Sequence, residues 1–268
     1  MRQKNRSRYL GDLLIYLAII GAALWGLRIA TTAQAYNWQW YNVPQYLYKI
    51  HEGVVYPGPL LRGLITTMQI SAGAMVIAAV LGLLVAVLGM SGSRVGRILA
   101  RGYIEVVRNI PILVLLFLFY FVVAPIFGLG RFASGMLTLA LYEAAFAAEI
   151  YRAGIEGVPR GQREAAAAVG LTRAQQMRYV VLPQSIPLIL PPMTNLAINL
   201  IKHSAIVSVI AIFDLANEGR NVISETFMVF EVWFTVALVY LVITTALSFL
   251  ATGLERRFAR SRASARAR

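Results

Sequence analysis

Gly63–Ser93, GLITTMQISAGAMVIAAVLGLLVAVLGMSGS, contains no Asp, Glu, Lys or Arg. A helix crosses the hydrocarbon core of a bilayer with about 20 predominantly apolar residues, at a rise of about 1.5 Å per residue. This stretch is therefore long enough to cross a membrane as a single helix. Its composition is typical of a membrane protein and unlike that of a soluble domain.

Five further stretches are predicted to span the membrane. Three carry no charge, and two carry charges that a span can tolerate: Arg28 can reach an interface, and Glu143 and Glu149 lie in a stretch between two strong spans. The sequence thus predicts an all-α, polytopic membrane helix bundle of about six transmembrane helices. The five stretches are Asp12–Thr32, Asn109–Gly130, Phe132–Tyr151, Tyr179–Ile201 and Val232–Leu254.

The basic residues indicate how the chain is oriented. Of 268 residues, 59% are hydrophobic and only 14% charged, yet the net charge is +13. With the N-terminus inside, 18 of the 25 Lys and Arg residues fall on the inner segments, which are 1–11, 91–102, 152–181 and 254–268. This is the positive-inside pattern. It predicts an inner (cytoplasmic) membrane protein with both termini cytoplasmic, and a basic tail that contacts membrane lipid, with no nucleic-acid partner.

Few residues could support chemistry of their own. The chain has no cysteine and two histidines, His51 and His203, so a disulfide or a histidine-built metal site is not expected. The predicted outer loop, residues 33–61, is rich in aromatic residues. An interfacial aromatic belt explains this composition, with a docking surface for an outside partner as the alternative.

Polar and small residues within the spans suggest packing and a pathway. Small residues four apart, at Ala74, Ala78, Gly82 and Ala86 and again at Ala140, Ala144 and Ala148, predict close helix contacts. Structural ion pairs are predicted for Glu105 with Arg108 and for Glu149 with Arg152. The fifth span contains Pro187, Pro191 and Pro192, so it is the best pathway candidate, although Lys202 and His203 could instead approach the outer interface. The candidate pathway residues are Glu143, Asn195, Asn199, Lys202, His203 and Ser204.

The predicted inner loop at about residues 157–183 is unlike the others. It reads GVPRGQREAAAAVGLTRAQQMRYVVLP. Glu164–Val169 is strongly helix-forming, Gly170 is typical of a helix stop, and Thr172 can cap a second helix to about Val181, which Pro183 would end. The loop is therefore predicted to form two short helices joined at a glycine. Amphipathic helices that only rest on lipid are the alternative.

This loop resembles the EAA loop of ABC importer permeases: Glu164-Ala-Ala, Gly170 and Leu182-Pro183 stand at the family's spacing, and only Val180 departs from it. The resemblance implies a coupling helix that docks on an ATP-binding subunit. The loop residues it implicates are Gly161, Gln162, Glu164, Ala165, Ala166, Ala167, Gly170, Leu182 and Pro183.

The resemblance extends from about Gly63 to Phe258. Tyr103–Pro111 is similar to the YxExxRxxP segment of the polar amino-acid branch, and Lys202-His-Ser-Ala to its K-x-[TS]-[SA] stretch, where His203 replaces the commoner Asp or Asn. The motifs are most like those of glutamate/aspartate-type permeases. The implied organisation is a basic N-terminus with an added span and outer loop (1–61), a type I importer-like permease domain (62–258) and a basic tail (259–268).

The resemblance also implies a larger machine. The chain has no G-x-x-x-x-G-K-[ST] sequence, so ATP and Mg are expected on two copies of a partner ATP-binding subunit, with no catalytic residue, metal or cofactor in this chain. A second permease subunit, identical or related, and a periplasmic or extracellular amino-acid-binding protein complete the set. In the substrate pathway, Lys202 or His203 would meet the substrate carboxylate and Glu143 the ammonium.

Two other classes of protein fit the sequence less well than an importer permease. A secondary transporter or channel driven by an ion gradient accounts for the spans and the charge pattern, but not for the EAA loop. A membrane enzyme lacks support, since no serine, histidine and acid set or metal cluster is evident in the sequence.

Overall fold

The computed structural model describes residues 13–22, 25–26, 28–29 and 36–266, with side chains as far as residue 253. The chain divides into two compact units, Met1–Tyr41 and Asn42–Arg268. In the first, helix α1 (Leu13–Ala22) is apolar and occupies part of the predicted first span. Its charged start at Asp12, and the basic residues 2–8, lie outside the described residues, as do the side chains of the basic tail.

The second unit begins with a small feature that the all-α prediction did not include. After helix α2 (Pro44–Leu47), strands β1 (Tyr48–His51) and β2 (Val54–Pro57) pair antiparallel, with Ile50 opposite Val55. Glu52 and Gly53, between the strands, both have positive φ, at 51° and 77°. Positive φ at both central residues is the geometry of a type I′ hairpin turn, which glycine adopts without steric cost.

The long apolar helices match most of the predicted spans. Three continuous helical stretches are long and apolar enough to cross a membrane: Pro59–Met90, Arg173–Ile210 and Val229–Gly253. They correspond to α3 (Pro59–Met90), to α10 (Leu182–His203) with the helical turns on either side of it, and to the first part of α12 (Val229–Arg266). Helix α7 (Arg131–Glu156) covers the predicted fourth span and is buried along much of its length against α3 and α10. Each helix satisfies its backbone N–H and C=O groups internally, which is necessary because lipid tails offer no hydrogen-bond partners.

The third predicted span, Asn109–Gly130, is helical over Ile112–Ile126, and a sharp bend separates it from the helix before it. Helix α4 (Arg94–Asn109) is followed by a break and by α5 (Ile112–Leu118), a π-helical turn at residues 119–123 and α6 (Ala124–Ile126). The two parts are bent by 108°. The break falls at Ile110, whose backbone is extended (φ −93°, ψ 128°), because a residue before proline is disfavoured in the helical region. The bend turns α4 away from the direction of the span.

Small residues bring α3 and α7 into close contact, as their four-residue spacing predicts. Ala74, Ala78 and Gly82 of α3 are buried, and so are Ala144 and Ala147 of α7. A Cβ atom added at Gly82 would lie 2.6 Å from the Cβ of Ala147 and 2.9 Å from the carbonyl oxygen of Ala144. The small residues therefore form an interface inside the bundle.

Replacing Gly82 by leucine is expected to separate α3 from α7, while Gly82→Ala should cost about 1–3 kcal/mol, typical of overpacking. The measurement is the thermal unfolding midpoint of the purified chain. Gly102→Ala is the matched control, since nothing lies within 4 Å of a Cβ there and α4 is helical at that point. Alanine at Gly102 should stabilise slightly; a loss at both positions would contradict the packing argument.

Pro183 does not end the helix of the inner loop, so this expectation was also wrong. Helix α9 (Arg173–Gln176) passes through a π-helical turn at Met177–Val181 directly into α10, with Pro183 in its first turn. Proline lacks the N–H that would bond the carbonyl one turn earlier, and here it directly follows a π-helical turn, where the regular α-helical bonding pattern is already interrupted. The loop is consequently continuous with the proline-containing span.

A further helix lies between the last two spans. After a 3-10 turn at Ser204–Ile210, Asp214 caps α11 (Leu215–Thr226), with its Oδ1 accepting from the backbone N of Asn217 at 2.9 Å. Asp214 is fully buried, its Oδ2 has no hydrogen-bond partner within the described residues, and burial raises its pKa from 3.8 to about 6. Arg220 is the nearby cation that opposes this rise.

The Asp214 carboxyl is expected to make folding pH-dependent. Its folded-state pKa lies above the unfolded value, so its contribution to stability is complete below pH 4 and is lost as pH rises through about 6. Asp214→Asn keeps the helix cap. It should raise the free energy of unfolding at pH 8 by up to about 3 kcal/mol, which corresponds to a pKa shift of about two units, and should change it little at pH 4. The exposed Glu225→Gln is the control; an equal benefit of Asp214→Asn at both pH values would refute the argument.

Candidate functional site

The inner loop forms a helix, a turn at glycine and a second helix, as its sequence predicts, and the second helix continues into α10. Helix α8 (Arg160–Ala168) follows Pro159, and the backbone then turns at Gly170, whose φ is +84°. Thr172 begins α9 with a capping box: its hydroxyl accepts from the backbone N of Gln175, and the Gln175 side chain accepts from the backbone N of Thr172. Two local signals, a glycine in the left-handed region and a reciprocal cap, thus define the turn between the helices.

Most of α8 faces outward. Glu164 is exposed and Ala166 is buried against the rest of the chain. Val169, which sequence analysis did not single out, is 76% exposed at the tip of the loop. The same loop thus exposes a carboxylate and an apolar side chain, which is a surface suited to a protein partner. The other exposed members of the predicted coupling set are Gly161, Gln162, Ala165, Ala167, Gly170, Leu182 and Pro183.

Two side-chain contacts tie α8 to the helices before and after it. Arg163 donates from Nη2 to the carbonyl oxygen of Ile155 in α7 at 2.7 Å. Gln184 of α10 donates from Nε2 to Oε1 of Gln162 at 3.2 Å. The sequence does not point to Arg163 or Gln184, because each makes its contact with a residue on a different helix. These two hydrogen bonds connect α8 directly to both α7 and α10.

Helix α10 presents polar side chains on an exposed face. Asn195, Asn199 and Lys202 are exposed and follow one another at three- and four-residue intervals, so they lie on one side of the helix. Asparagine and lysine are costly against lipid tails, so this side faces water or another protein. Ser204 is not part of it, since it is buried and donates to the carbonyl oxygen of Ile201 at 2.7 Å.

Glu143 and His203 form a contact that changes their predicted roles. His203 Nδ1 lies 2.7 Å from Glu143 Oε1, and Glu143 is only 2% exposed. The Tyr142 ring lies edge-on to the His203 ring, with centroids 6.1 Å apart. We expected Glu143 to be available to a substrate ammonium; instead its carboxylate is joined to His203. This pairing could not be predicted from the sequence, because the two residues are 60 positions apart along the chain.

The four predicted ion-pair residues line one cavity at the loop end of the bundle; Glu149 pairs with Arg152 as predicted, but Glu105 does not pair with Arg108. Arg152 contacts Glu149 and also Glu156, each at 2.7 Å. Glu105 instead accepts from Asn109 Nδ2 at 3.4 Å, and no Glu105–Arg108 pair is present among the described side chains. Arg108 lies over the Phe146 ring, 5.3 Å from its centroid. The helix geometry allows the pair, but the Phe146 ring face holds the guanidinium elsewhere.

A membrane-spanning helical bundle with a two-helix loop tied to two of its spans is the architecture of a permease that works with a separate ATPase. The chain belongs to the family of binding-protein-dependent transport system inner membrane components, which matches residues 58–260. It is therefore a multi-pass inner membrane protein and an ABC importer permease, as the EAA resemblance implies. No group of three or more His, Cys, Asp or Glu that could hold a metal occurs within the described ranges.

Three relatives illustrate the similarity. The probable glutamine ABC transporter permease GlnM of Bacillus subtilis (strain 168) is 41% identical over 203 residues, covering 75% of this chain and 94% of the relative. The glutamate/aspartate import permease GltJ of Escherichia coli (strain K12) is 33% identical, covering 75% and 88%. The crystal structure of an amino acid ABC transporter with histidines aligns at a TM-score of 0.71 with 40% identity, covering 74% and 94%.

Proposed function

We propose that this chain forms half of the translocation pathway of an ATP-driven importer for polar amino acids, with glutamine as the first substrate to test. The coupling loop carries the proposal, because α8 is exposed for docking and tied to two spanning helices. The more similar of the relatives described is named for glutamine and the other for glutamate and aspartate. The similarity therefore favours polar amino acids of this kind as the substrate class.

The proposed assembly contains two ATP-binding subunits, a second permease and an extracytoplasmic binding protein. A separate ATPase is needed because the chain has no phosphate-binding loop sequence. A second permease is supported by the exposed polar face of α10, which is unsuited to lipid. The distribution of Lys and Arg supports a cytoplasmic position for the loop and for both termini.

The proposed mechanism transmits the movement of the ATPase through α8. When the two ATPases close on ATP, they displace α8, and the Arg163–Ile155 and Gln162–Gln184 contacts pull on α7 and α10 together. The same two helices are joined deeper in the bundle by Glu143 and His203. Coupling requires contacts that differ in free energy between inward and outward states. These side chains are placed to supply them.

The proposed substrate surface is the polar face of α10. Asn195 and Asn199 offer donors and acceptors, and the Lys202 ammonium can attract the substrate carboxylate where water is excluded. Glu143 is assigned to holding His203 in place and not to the substrate ammonium. Lys202→Ala should therefore raise the KM for uptake more than it lowers the maximal rate.

The test is to express the tagged chain with the genes beside it, purify the complex and assay uptake in proteoliposomes. We expect an ATP-binding subunit to co-purify, and radiolabelled glutamine, glutamate or aspartate to enter only with ATP and binding protein. Uptake that follows an ion gradient and ignores ATP would overturn the proposal and favour a secondary transporter. Arginine or an apolar amino acid as the sole substrate would overturn the proposed substrate class alone.

A further inference from the structure

A cavity at the loop end of the bundle has no role in the proposed transport cycle. Its volume is about 730 Å³, and α3, α4, α7 and α8 all contribute to its wall. It lies within one chain, behind the coupling loop. Five arginines and three glutamates line it, which leaves an excess of two positive charges. The arginines are Arg97, Arg101, Arg108, Arg152 and Arg163, and the glutamates are Glu105, Glu149 and Glu156.

The acidic residues of the cavity are already engaged. Glu149 and Glu156 both contact Arg152 at 2.7 Å, so these three charges largely satisfy one another. Glu105 accepts a hydrogen bond from Asn109. Arg97 and Arg101 have no carboxylate within salt-bridge distance among the described side chains, and neither has Arg108. The unmatched positive charge is therefore concentrated on the α4 side of the cavity.

Helix α4 is built to hold these arginines against the cavity. Arg97, Arg101 and Arg108 recur on one side of the helix, whereas Val95, Ile98, Leu99 and Val106 are exposed on the opposite side, each between 58% and 70%. The apolar side is exposed to the surroundings of the bundle, and the arginines, which are also exposed, line the cavity from the other side of the helix. Basic side chains and an exposed apolar side on one helix are the arrangement of a helix that lies at a membrane interface.

The cavity wall also offers an unused hydrogen-bond donor. Arg163 lines the cavity, and its Nε is buried without an acceptor in the described part of the chain, while its Nη2 is held by Ile155. Guanidinium groups bind phosphate oxygens through two parallel N–H donors, which makes arginine the residue preferred for such anions. Arginines without a carboxylate partner, a buried free N–H donor and a cavity open to its surroundings are together suited to binding an anion.

We propose that this cavity binds a phosphate-bearing anion, with Arg97, Arg101 and Arg108 as the principal contacts. Both the headgroup of an anionic phospholipid and free phosphate have this chemistry. The exposed apolar side of α4 lies beside the cavity and could accommodate acyl chains, and the charge pattern places this end of the bundle at the leaflet where anionic lipid concentrates. The site is separate from the polar face of α10 and does not depend on which substrate is carried.

The experiment uses the full chain in phosphatidylcholine nanodiscs, with phosphatidylglycerol titrated in one arm and inorganic phosphate added in the other. Bound anionic lipid is measured by native mass spectrometry, and the unfolding midpoint is followed in both arms. Arg97→Gln/Arg101→Gln is expected to weaken binding about 30-fold, since each basic residue near the surface contributes about fivefold. The double variant Arg94→Gln/Arg173→Gln removes the same charge from exposed arginines that do not line the cavity.

The arms separate the outcomes. Retention and stabilisation by phosphatidylglycerol, lost in the cavity variant and kept in the control, support a lipid site. Stabilisation by phosphate in neutral nanodiscs, with the same dependence on Arg97 and Arg101, supports a site for a soluble phosphate compound. Equal binding by the cavity variant and the control, or no response to either anion, would overturn the proposal.

Discussion

Replacing Glu164 by alanine is expected to reduce ATP-driven uptake at least about tenfold while leaving the chain folded. The side chain is exposed on α8, so its removal opens no cavity, and alanine is the better helix former. What is lost is the carboxylate that the docking surface presents to the ATPase. Truncating a hot-spot residue of an interface costs about 2 kcal/mol or more, which is about 30-fold in binding. Uptake and ATP hydrolysis are measured on the reconstituted complex.

Glu225→Ala is the matched control, because Glu225 is also an exposed glutamate near the end of a helix, in α11. It should leave uptake unchanged. If Glu164→Ala and Glu225→Ala transport equally well, the coupling role of Glu164 is wrong. If the Glu164 variant fails to reach the membrane, the loop is needed for folding and the docking argument does not hold.

The turn at Gly170 gives an independent test of the same surface. Gly170 has a φ of +84°, and nothing lies within 4 Å of a Cβ built there, so a larger residue meets no clash and only backbone strain. A β-branched side chain in this region costs about 1–2 kcal/mol. Gly170→Val should therefore redirect α8 relative to α9 and lower uptake without unfolding the bundle. Gly92→Val, at an open position without positive φ, is the control.

Removing His203 is expected to cause the largest loss of stability of any polar substitution in the spans. His203→Ala would leave the Glu143 carboxylate, 2% exposed, without the nitrogen that lies 2.7 Å from it. Leaving a buried polar group without its hydrogen-bond partner costs about 1–3 kcal/mol. The unfolding midpoint of the purified chain measures this cost. His51→Ala, in the exposed hairpin strand β1, is the control and should have no effect.

The double variant Glu143→Gln/His203→Ala shows which role the pair has. A neutral amide needs no charged partner, so the double variant should recover most of the stability lost in His203→Ala. Uptake should stay low if the pair transmits movement between α7 and α10. A double variant no more stable than His203→Ala would show that the Glu143 charge is not what His203 stabilises.

Features that depend on neighbours in sequence were predictable. The second span, the small-residue stripes, the helix–glycine–helix form of the inner loop and the Thr172 cap each follow from local signals: apolar length, four-residue periodicity, helix propensity and a side chain that satisfies the first backbone N–H groups. One local signal was misleading: Pro183 is typical of a helix stop but lies at the start of α10, within a helical stretch that continues through it.

By itself, the sequence determined that the chain spans a membrane several times and that one loop resembles an ATPase-coupling element. These conclusions need only composition, periodicity and motif spacing, because lipid and helix geometry act on every residue in the same way. Only the tertiary structure decided that Glu143 pairs with His203, that Arg163 reaches Ile155, and that the arginines of α4 share a cavity with Arg152. Helix packing brings together side chains on different elements, and their pairing depends on distance and burial, which spacing along the chain does not contain.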